Sequence, residues 1–178
     1  MTLDLSLIRS QFPALAGEAV FFDNPAGTQV ATQVLKRINQ YMVEMNANVH
    51  GAFATSAASD ALLEDARKAC ADFYNASRPE EIVFGPNMTS LTFDFSRSIA
   101  RWLSPGDEIV VTRLDHDANI TPWTMMAEDQ GCNIRWVDFD IENGTLRLDS
   151  LEAALVHKPK LVAVGYASNA LGTINPLR

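Results

Sequence analysis

Glu108-Ile-Val-Val-Thr-Arg-Leu-Asp-His-Asp-Ala-Asn-Ile-Thr-Pro-Trp123 is the stretch on which the fold turns. Four β-branched residues, Ile109-Val-Val-Thr112, follow Glu108 and the turn Ser104-Pro-Gly-Asp107, which marks a short buried strand. Beyond His116, Thr121 suits a helix N-cap, Pro122 the first helical position, and Gly131 a left-handed stop after Gln130. A strand thus runs into a helix with a lone histidine on the connection, which in an open α/β sheet is the side where ligands bind. Taken alone, the stretch favours the plainer reading of His116 as a polar loop residue.

The alternation continues on both sides of this stretch. Upstream lie a strand at Ile82-Val-Phe84 and a helix from near Thr89 to Trp102. Downstream come a strand Ile134–Val137, a turn Glu142-Asn-Gly144, a helix from Asp149 to about Val156, and a strand Leu161–Gly165. Strands alternating with helices of this length predict an α/β fold: βαβ units building a mainly parallel sheet with helices on both faces, a three-layer sandwich.

The N-terminal part reads differently. Leu5 to Phe12 forms an amphipathic helix stopped by Pro13, Ala19–Phe22 a short strand, and Thr28 the cap of a helix. Val34, Leu35, Ile38, Tyr41, Met42 and Met45 share one face of that helix and are expected in the core. The small-residue segment Asn46–Ser59 has neither helical nor strand periodicity and is longer than most connections, a common mark of a functional loop. A second amphipathic helix runs from Asp60 to about Tyr74, with Cys70 as a small apolar residue on its inner side. The expected division is 1–60 for the N-terminal helices, strand and loop, and 61–178 for the main α/β domain.

Composition narrows the function. The 178 residues are 47% hydrophobic and 20% charged, with a net charge of −8. That is ordinary for a soluble domain and lacks the basic face that nucleic acid or an anionic membrane surface requires. No run approaches the ~18 apolar residues of a spanning helix, and no basic leader precedes one, so the expected location is the cytoplasm. Cys70 and Cys132 are too far apart for a metal cluster and read as reduced thiols; no metal site is expected.

Polar residues follow three of the strands: Asn87, Thr89 and Ser90 after Ile82–Phe84, His116 after Glu108–Thr112, and Ser168 and Asn169 after Leu161–Gly165. The first group opens a helix, whose free amides, dipole and Thr89 hydroxyl suit a phosphate. Asn87 or Thr89 would equally serve as a simple cap, and Asn169 as a turn residue. Together the three groups describe an anion seat, an aromatic ring and an amide donor, the set that a pyridoxal phosphate site needs.

Four segments also resemble the class V aminotransferase group of fold-type-I pyridoxal phosphate enzymes, and within it the cysteine desulfurase-like proteins. They are Phe22-Asp-Asn-Pro-Ala-Gly-Thr28, Val83-Phe-Gly-Pro-Asn-Met-Thr-Ser90, Leu114-Asp-His-Asp-Ala-Asn-Ile-Thr-Pro-Trp123 and Ser168-Asn-Ala-Leu-Gly-Thr-Ile-Asn-Pro176. The resemblance implies part of the large domain of such an enzyme. His116 would stack on the pyridine ring as the catalytic histidine, the backbone near Met88 and the Thr89 hydroxyl would hold the phosphate, and Asn169 would bond the phenolic oxygen. Ala26, Gly27 and His50 would lie near the substrate, with the Asn46–Ser59 loop in an active site shared across a homodimer. The implied reaction is removal of sulfur from L-cysteine; another lyase, epimerase or aminotransferase of the group is the alternative. The desulfurases commonly carry a second threonine at Met88, an acid at Ser90 and a second histidine at Asp117, so this phosphate seat differs from theirs.

The Schiff-base lysine of the group, the aspartate beneath its pyridine nitrogen and the sulfur-accepting cysteine correspond to later sequence. Lys36, Lys68, Lys158 and Lys160 are the lysines here. His157-Lys158 and Cys132 precede strands, on the rim opposite the crevice. The chain by itself is therefore expected to be inactive, a cofactor cradle without its covalent anchor, or a non-catalytic binding or assembly module. A nucleotide-binding Rossmann domain ranks last, since no Gly-x-Gly-x-x-Gly follows a strand.

Overall fold

The computed structural model describes residues 3–177. The chain divides into two compact units, Met1–Phe84 and Gly85–Arg178. Residue 60, the division expected from sequence, lies inside an unbroken helix.

In the first unit, α1 (Leu5–Ser10) is capped by Asp4, whose Oδ1 accepts the Leu7 amide at 3.0 Å. The next helix, α2 (Thr32–Gln40), starts at Thr32 and not after Thr28. The Thr32 amide and hydroxyl both donate to the Gln11 carbonyl, at 2.8 and 3.1 Å, which fastens the start of α2 to the end of α1. A single π-helical turn, Tyr41–Met45, follows. The apolar stripe expected in the core is instead open: Val34, Leu35, Ile38 and Met42 are 48–58% exposed.

The third helix, α3 (Ala54–Tyr74), begins within the segment expected to be a loop and ends at Asn75, which takes the left-handed conformation at φ 55. Its first turns are built of Ala, Thr and Ser, and the residues facing inward there are Ser56 and Ser59, both fully buried. The alanines among them favour the helix without an apolar period to announce it. The expected strands Ala19–Phe22 and Ile82–Phe84 do not form, because no partner strand pairs with either among the described residues. Without a ladder their side chains stay open, Phe22 being 92% and Val83 74% exposed.

The second unit holds the sheet. Its helix α4 (Met88–Ile99) continues through a 3₁₀ turn at Ala100–Trp102 toward β1 (Glu108–Thr112). After β1 come α5 (Thr121–Gln130) and β2 (Asn133–Val137), with Gly131 at φ 68 between them as expected. Thr121 is the first residue of α5 rather than its cap, and its hydroxyl donates to Asp117 Oδ1 at 2.7 Å. A small hairpin of β3 (Phe139–Asp140) and β4 (Thr145–Leu146), the helix α6 (Leu148–Leu155) and β5 (Leu161–Ala163) complete the unit.

The sheet is parallel, in the order β2-β1-β5. Central β1 is buried on both faces, with Ile109, Val110 and Val111 at 0% exposure. Ile109 and Val111 pack with Trp123, Met126 and Ala127 of α5 on one face; Val110 packs with Val137 of β2, Leu146 of β4 and Ala154 of α6 on the other. Each such aliphatic side chain contributes roughly 1.5–3 kcal/mol of burial. The result is the expected three-layer α/β arrangement. Among the described residues no helix is long and apolar enough to cross a membrane.

Candidate active site

Because β1 and β5 run parallel, the connections leaving Thr112 and Ala163 emerge on one rim of the sheet. The connection after β1 carries His116, which begins the 3₁₀ turn Asp117–Asn119. The Ala118 amide donates to His116 Nδ1 at 3.0 Å, so a neutral imidazole carries its proton on Nε2. The ring itself is exposed. Helix α4 packs against this turn and against α5, where Phe95 meets Trp123 edge to face at 6.1 Å.

Helix α4 starts at an asparagine cap. Asn87 Oδ1 accepts the Ser90 amide at 2.9 Å, and the Asn87 carbonyl accepts the Leu91 amide at 3.1 Å. Asn87, not Thr89, is therefore the cap, and the Met88 and Thr89 amides and the Thr89 hydroxyl have no acceptor or donor among the described residues. All three belong to exposed residues. Open amides at the positive end of a helix, joined by a free hydroxyl, suit an anion such as a phosphate.

The segment after β5 turns tightly. The Gly172 amide donates to the Ser168 carbonyl at 2.9 Å and the Leu171 amide to Ser168 Oγ at 3.2 Å, with Gly172 at φ 74. Asn169 stands exposed in that turn, and its carboxamide has no partner among the described residues. Asn175 anchors the base: its Nδ2 donates to the Gly165 carbonyl at 2.7 Å and its amide to the Tyr166 carbonyl at 2.8 Å.

A carboxylate absent from the sequence-derived set joins these connections. Asp115 Oδ2 accepts the Thr112 hydroxyl at 2.6 Å and the Gly165 amide at 3.0 Å, while Oδ1 accepts Asn119 Nδ2 at 3.2 Å. Asn119 Oδ1 in turn accepts the Trp123 indole N–H at 3.0 Å. One acid thus fixes the end of β1, Gly165 two residues past β5, and, through Asn119, the helix after His116. The close approach also requires glycine at 165, where a Cβ would stand 2.3 Å from Asp115 Oδ1.

The other expected site residues lie in the first unit. Ala26 and Gly27 are exposed and close the turn Asn24–Ala26, with their amides donating to the Asp23 and Asn24 carbonyls at 2.9 and 3.0 Å. His50 adopts φ 65 and lies beside Asp60, with 3.2 Å between Nδ1 and Oδ1.

Within the second unit, the lysines and Cys132 stand away from the His116 rim. Lys158 and Lys160 precede β5, and the Lys160 amide donates to the Glu108 carbonyl at 2.8 Å, which places them at the opposite rim. Cys132 likewise precedes β2; burial, aided by the Asp107 carboxylate, pushes its thiol above the ordinary value. Cys70 on α3 is half-buried, and both thiols are free. Among the described residues no group of His, Cys, Asp or Glu is placed to hold a metal.

Comparison with known proteins places this geometry. The family model "Aminotransferase class-V" matches residues 20–178. The chain is 38% identical over 176 residues to "Aminotransferase-like protein FGM3" of Gibberella zeae, covering 96% of this chain and 43% of that one. It is 36% identical to a cysteine desulfurase of Synechococcus elongatus, covering 98% of this chain and 29% of that one. Among solved structures, the apo cysteine desulfurase of Thermococcus onnurineus superposes with a TM-score of 0.88 at 30% identity, over 99% of this chain and 43% of that chain. The Escherichia coli cysteine desulfurase CsdA gives 0.83 at 27% identity, over 99% and 45%. The chain therefore spans less than half the length of these relatives. Sequence match and fold agree: the chain belongs to the class V aminotransferase family, with the α/β architecture of fold-type-I enzymes.

Proposed function

We propose that the chain is part of a pyridoxal phosphate-dependent enzyme acting on an amino acid, most like a cysteine desulfurase that removes sulfur from L-cysteine. The observation that carries this reading is the rim where the connections after β1 and β5 emerge, one bearing the exposed His116 ring and the other the unpartnered Asn169 carboxamide. Helix α4 of the same unit packs against the His116 turn and opens on free amides. The Met88 and Thr89 amides and the Thr89 hydroxyl would hold the phosphate, His116 would lie on the pyridine ring, and Asn169 would donate to the phenolic oxygen. Ala26, Gly27 and His50 would serve the substrate.

When bound, pyridoxal phosphate supplies an electron sink for negative charge developing on the substrate. The residues of this chain bind and orient. The His116 ring is fixed at one edge by Ala118, so it offers its face to the cofactor and its Nε2–H as a proton or hydrogen-bond donor. A cytoplasmic homodimer is the proposed setting, in keeping with the two free thiols.

For this chain alone we propose binding without covalent attachment, because Lys158 and Lys160 stand at the opposite rim of the sheet. Incubation with pyridoxal phosphate, borohydride reduction and peptide mapping test this. The expected result is saturable, reversible binding with no stoichiometric label. A single lysine labelled to completion overturns the non-covalent reading, and absence of saturable binding overturns the cofactor assignment.

A further inference from the structure

In the first unit, residues 45–53 are not a free linker, because three contacts hold this stretch against the first turns of α3. The Ser59 hydroxyl donates to the Met45 carbonyl, the Gly51 amide to Ser56 Oγ at 2.7 Å, and the His50 amide to Asp60 Oδ2 at 2.9 Å. Ser56 and Ser59 are fully buried, so these anchors are part of the packing. His50, whose own amide makes the last of these contacts, takes φ 65, a left-handed conformation that residues with a Cβ seldom adopt. Such backbone persists where the surroundings over-determine it, and it concentrates at functional positions.

Asp60 supplies the second restraint on the same residue. Its Oδ1 lies 3.2 Å from His50 Nδ1 while its Oδ2 holds the His50 amide, so one carboxylate grips backbone and ring together. The histidine side chain is 86% exposed and the aspartate 34%. An ionised carboxylate only accepts, so the neutral imidazole beside it carries its proton on Nδ1 and leaves the Nε2 lone pair free. His116 is the reverse case: the Ala118 amide only donates, so there Nδ1 accepts and Nε2 carries the proton.

We propose that Asp60 is a positioning residue for His50, holding the ring in the Nδ1–H form so that Nε2 accepts a proton from the α-ammonium group of the amino-acid substrate. The proposal rests on the reading of His50 as a substrate-side residue. In the step, one substrate N–H bond breaks and one Nε2–H bond forms. The amine keeps its lone pair, and the resulting imidazolium faces the Asp60 carboxylate. No other bond or electron pair moves.

Long-range ¹H–¹⁵N spectra of the ¹⁵N-histidine-labelled chain test this, at a pH about two units above the ordinary imidazole value of ~6.5. The three histidines give internal standards: His116 is held as Nε2–H, and the exposed His157 ring, without a partner among the described residues, reports the free ring. The expected pattern is Nδ1–H at His50. Asp60→Asn, which keeps an oxygen for the His50 amide but can present an N–H to the ring, should flip His50 to Nε2–H and leave His116 unchanged. Asp60→Ala should move His50 to the pattern of His157. Nε2–H at His50 in the wild type, or no flip in Asp60→Asn with His116 unchanged, overturns the positioning role. Addition of L-cysteine to the same sample should shift His50 Nε2 and leave His157 unmoved. Correct tautomers without that response overturn the substrate reading and leave the Asp60 geometry standing.

Discussion

Asp115 Oδ2 accepts the amide of Gly165 at 3.0 Å, across fifty positions of sequence, and so ties the exit of β1 to the exit of β5. The same oxygen takes the Thr112 hydroxyl at 2.6 Å. His116 and the Ser168–Asn169 turn both continue from this junction, so the spacing of the proposed cofactor contacts depends on a residue that makes none of them.

Asp115→Asn should destabilise the chain by about 1–3 kcal/mol: its one oxygen can keep the Thr112 hydroxyl and the Gly165 amide, but its NH2 then faces the Asn119 Nδ2 donor where an acceptor stood. Asp138→Asn is the control. Asp138 pairs with Arg113 at 3.0 Å with both side chains about half exposed, and its loss should cost about 0–1 kcal/mol. Denaturant unfolding of the two variants checks the difference.

Gly165→Ala should be destabilising by about 1–3 kcal/mol, because the added Cβ meets Asp115 Oδ1 at 2.3 Å. The cost belongs to the pair. In an Asp115→Ala background the clash is gone, so a double-mutant cycle should show the penalty of Gly165→Ala largely removed. Additive costs would mean that Gly165 is required for another reason.

Cys132 should alkylate more slowly than a free small thiol at neutral pH. Its thiol is raised by burial first and by Asp107 second, which leaves less thiolate to react. The rate should climb only as pH rises toward the shifted value. Iodoacetamide labelling followed by mass spectrometry across pH checks the direction, and Asp107→Asn should speed the reaction.

Thr89→Ala should weaken pyridoxal phosphate binding by about 1–3 kcal/mol, the usual scale for a hydrogen bond to a charged group. Binding should not vanish, since the Met88 and Thr89 amides remain. Helix stability should barely change, because Asn87 is the residue that caps α4. Equilibrium dialysis and thermal unfolding of the same variant separate the two effects.

The elements legible in the sequence were those whose pattern matches their burial. Glu108–Thr112 reads as a strand because Ile109, Val110 and Val111 are packed on both faces, and Gly131 reads as a stop because the chain turns left-handed there. Ala19–Phe22 and Ile82–Phe84 have the same composition without partners, and pairing is not encoded in a short apolar run. The α2 stripe has a clear helical period, yet its apolar side chains remain about half exposed: periodicity shows which residues share a face, not what covers it. The first turns of α3 were hidden because buried serines do the inward packing. In the site, His116 and Asn169 follow strand ends and are visible for that reason, while Thr89 is visible through the helix start behind Asn87. Asp115 and Asp60 act across fifty and ten positions, at spacings that no local pattern announces.

Binding of pyridoxal phosphate to the wild type, His116→Phe and His116→Ala, followed in parallel by equilibrium dialysis, tests the central claim most directly. A flat ring over the cofactor predicts that Phe retains most of the affinity and Ala loses about 0.5–1.5 kcal/mol or more, the scale of an aromatic stacking contact. Equal affinities in all three proteins would remove His116 from the site and contradict the account.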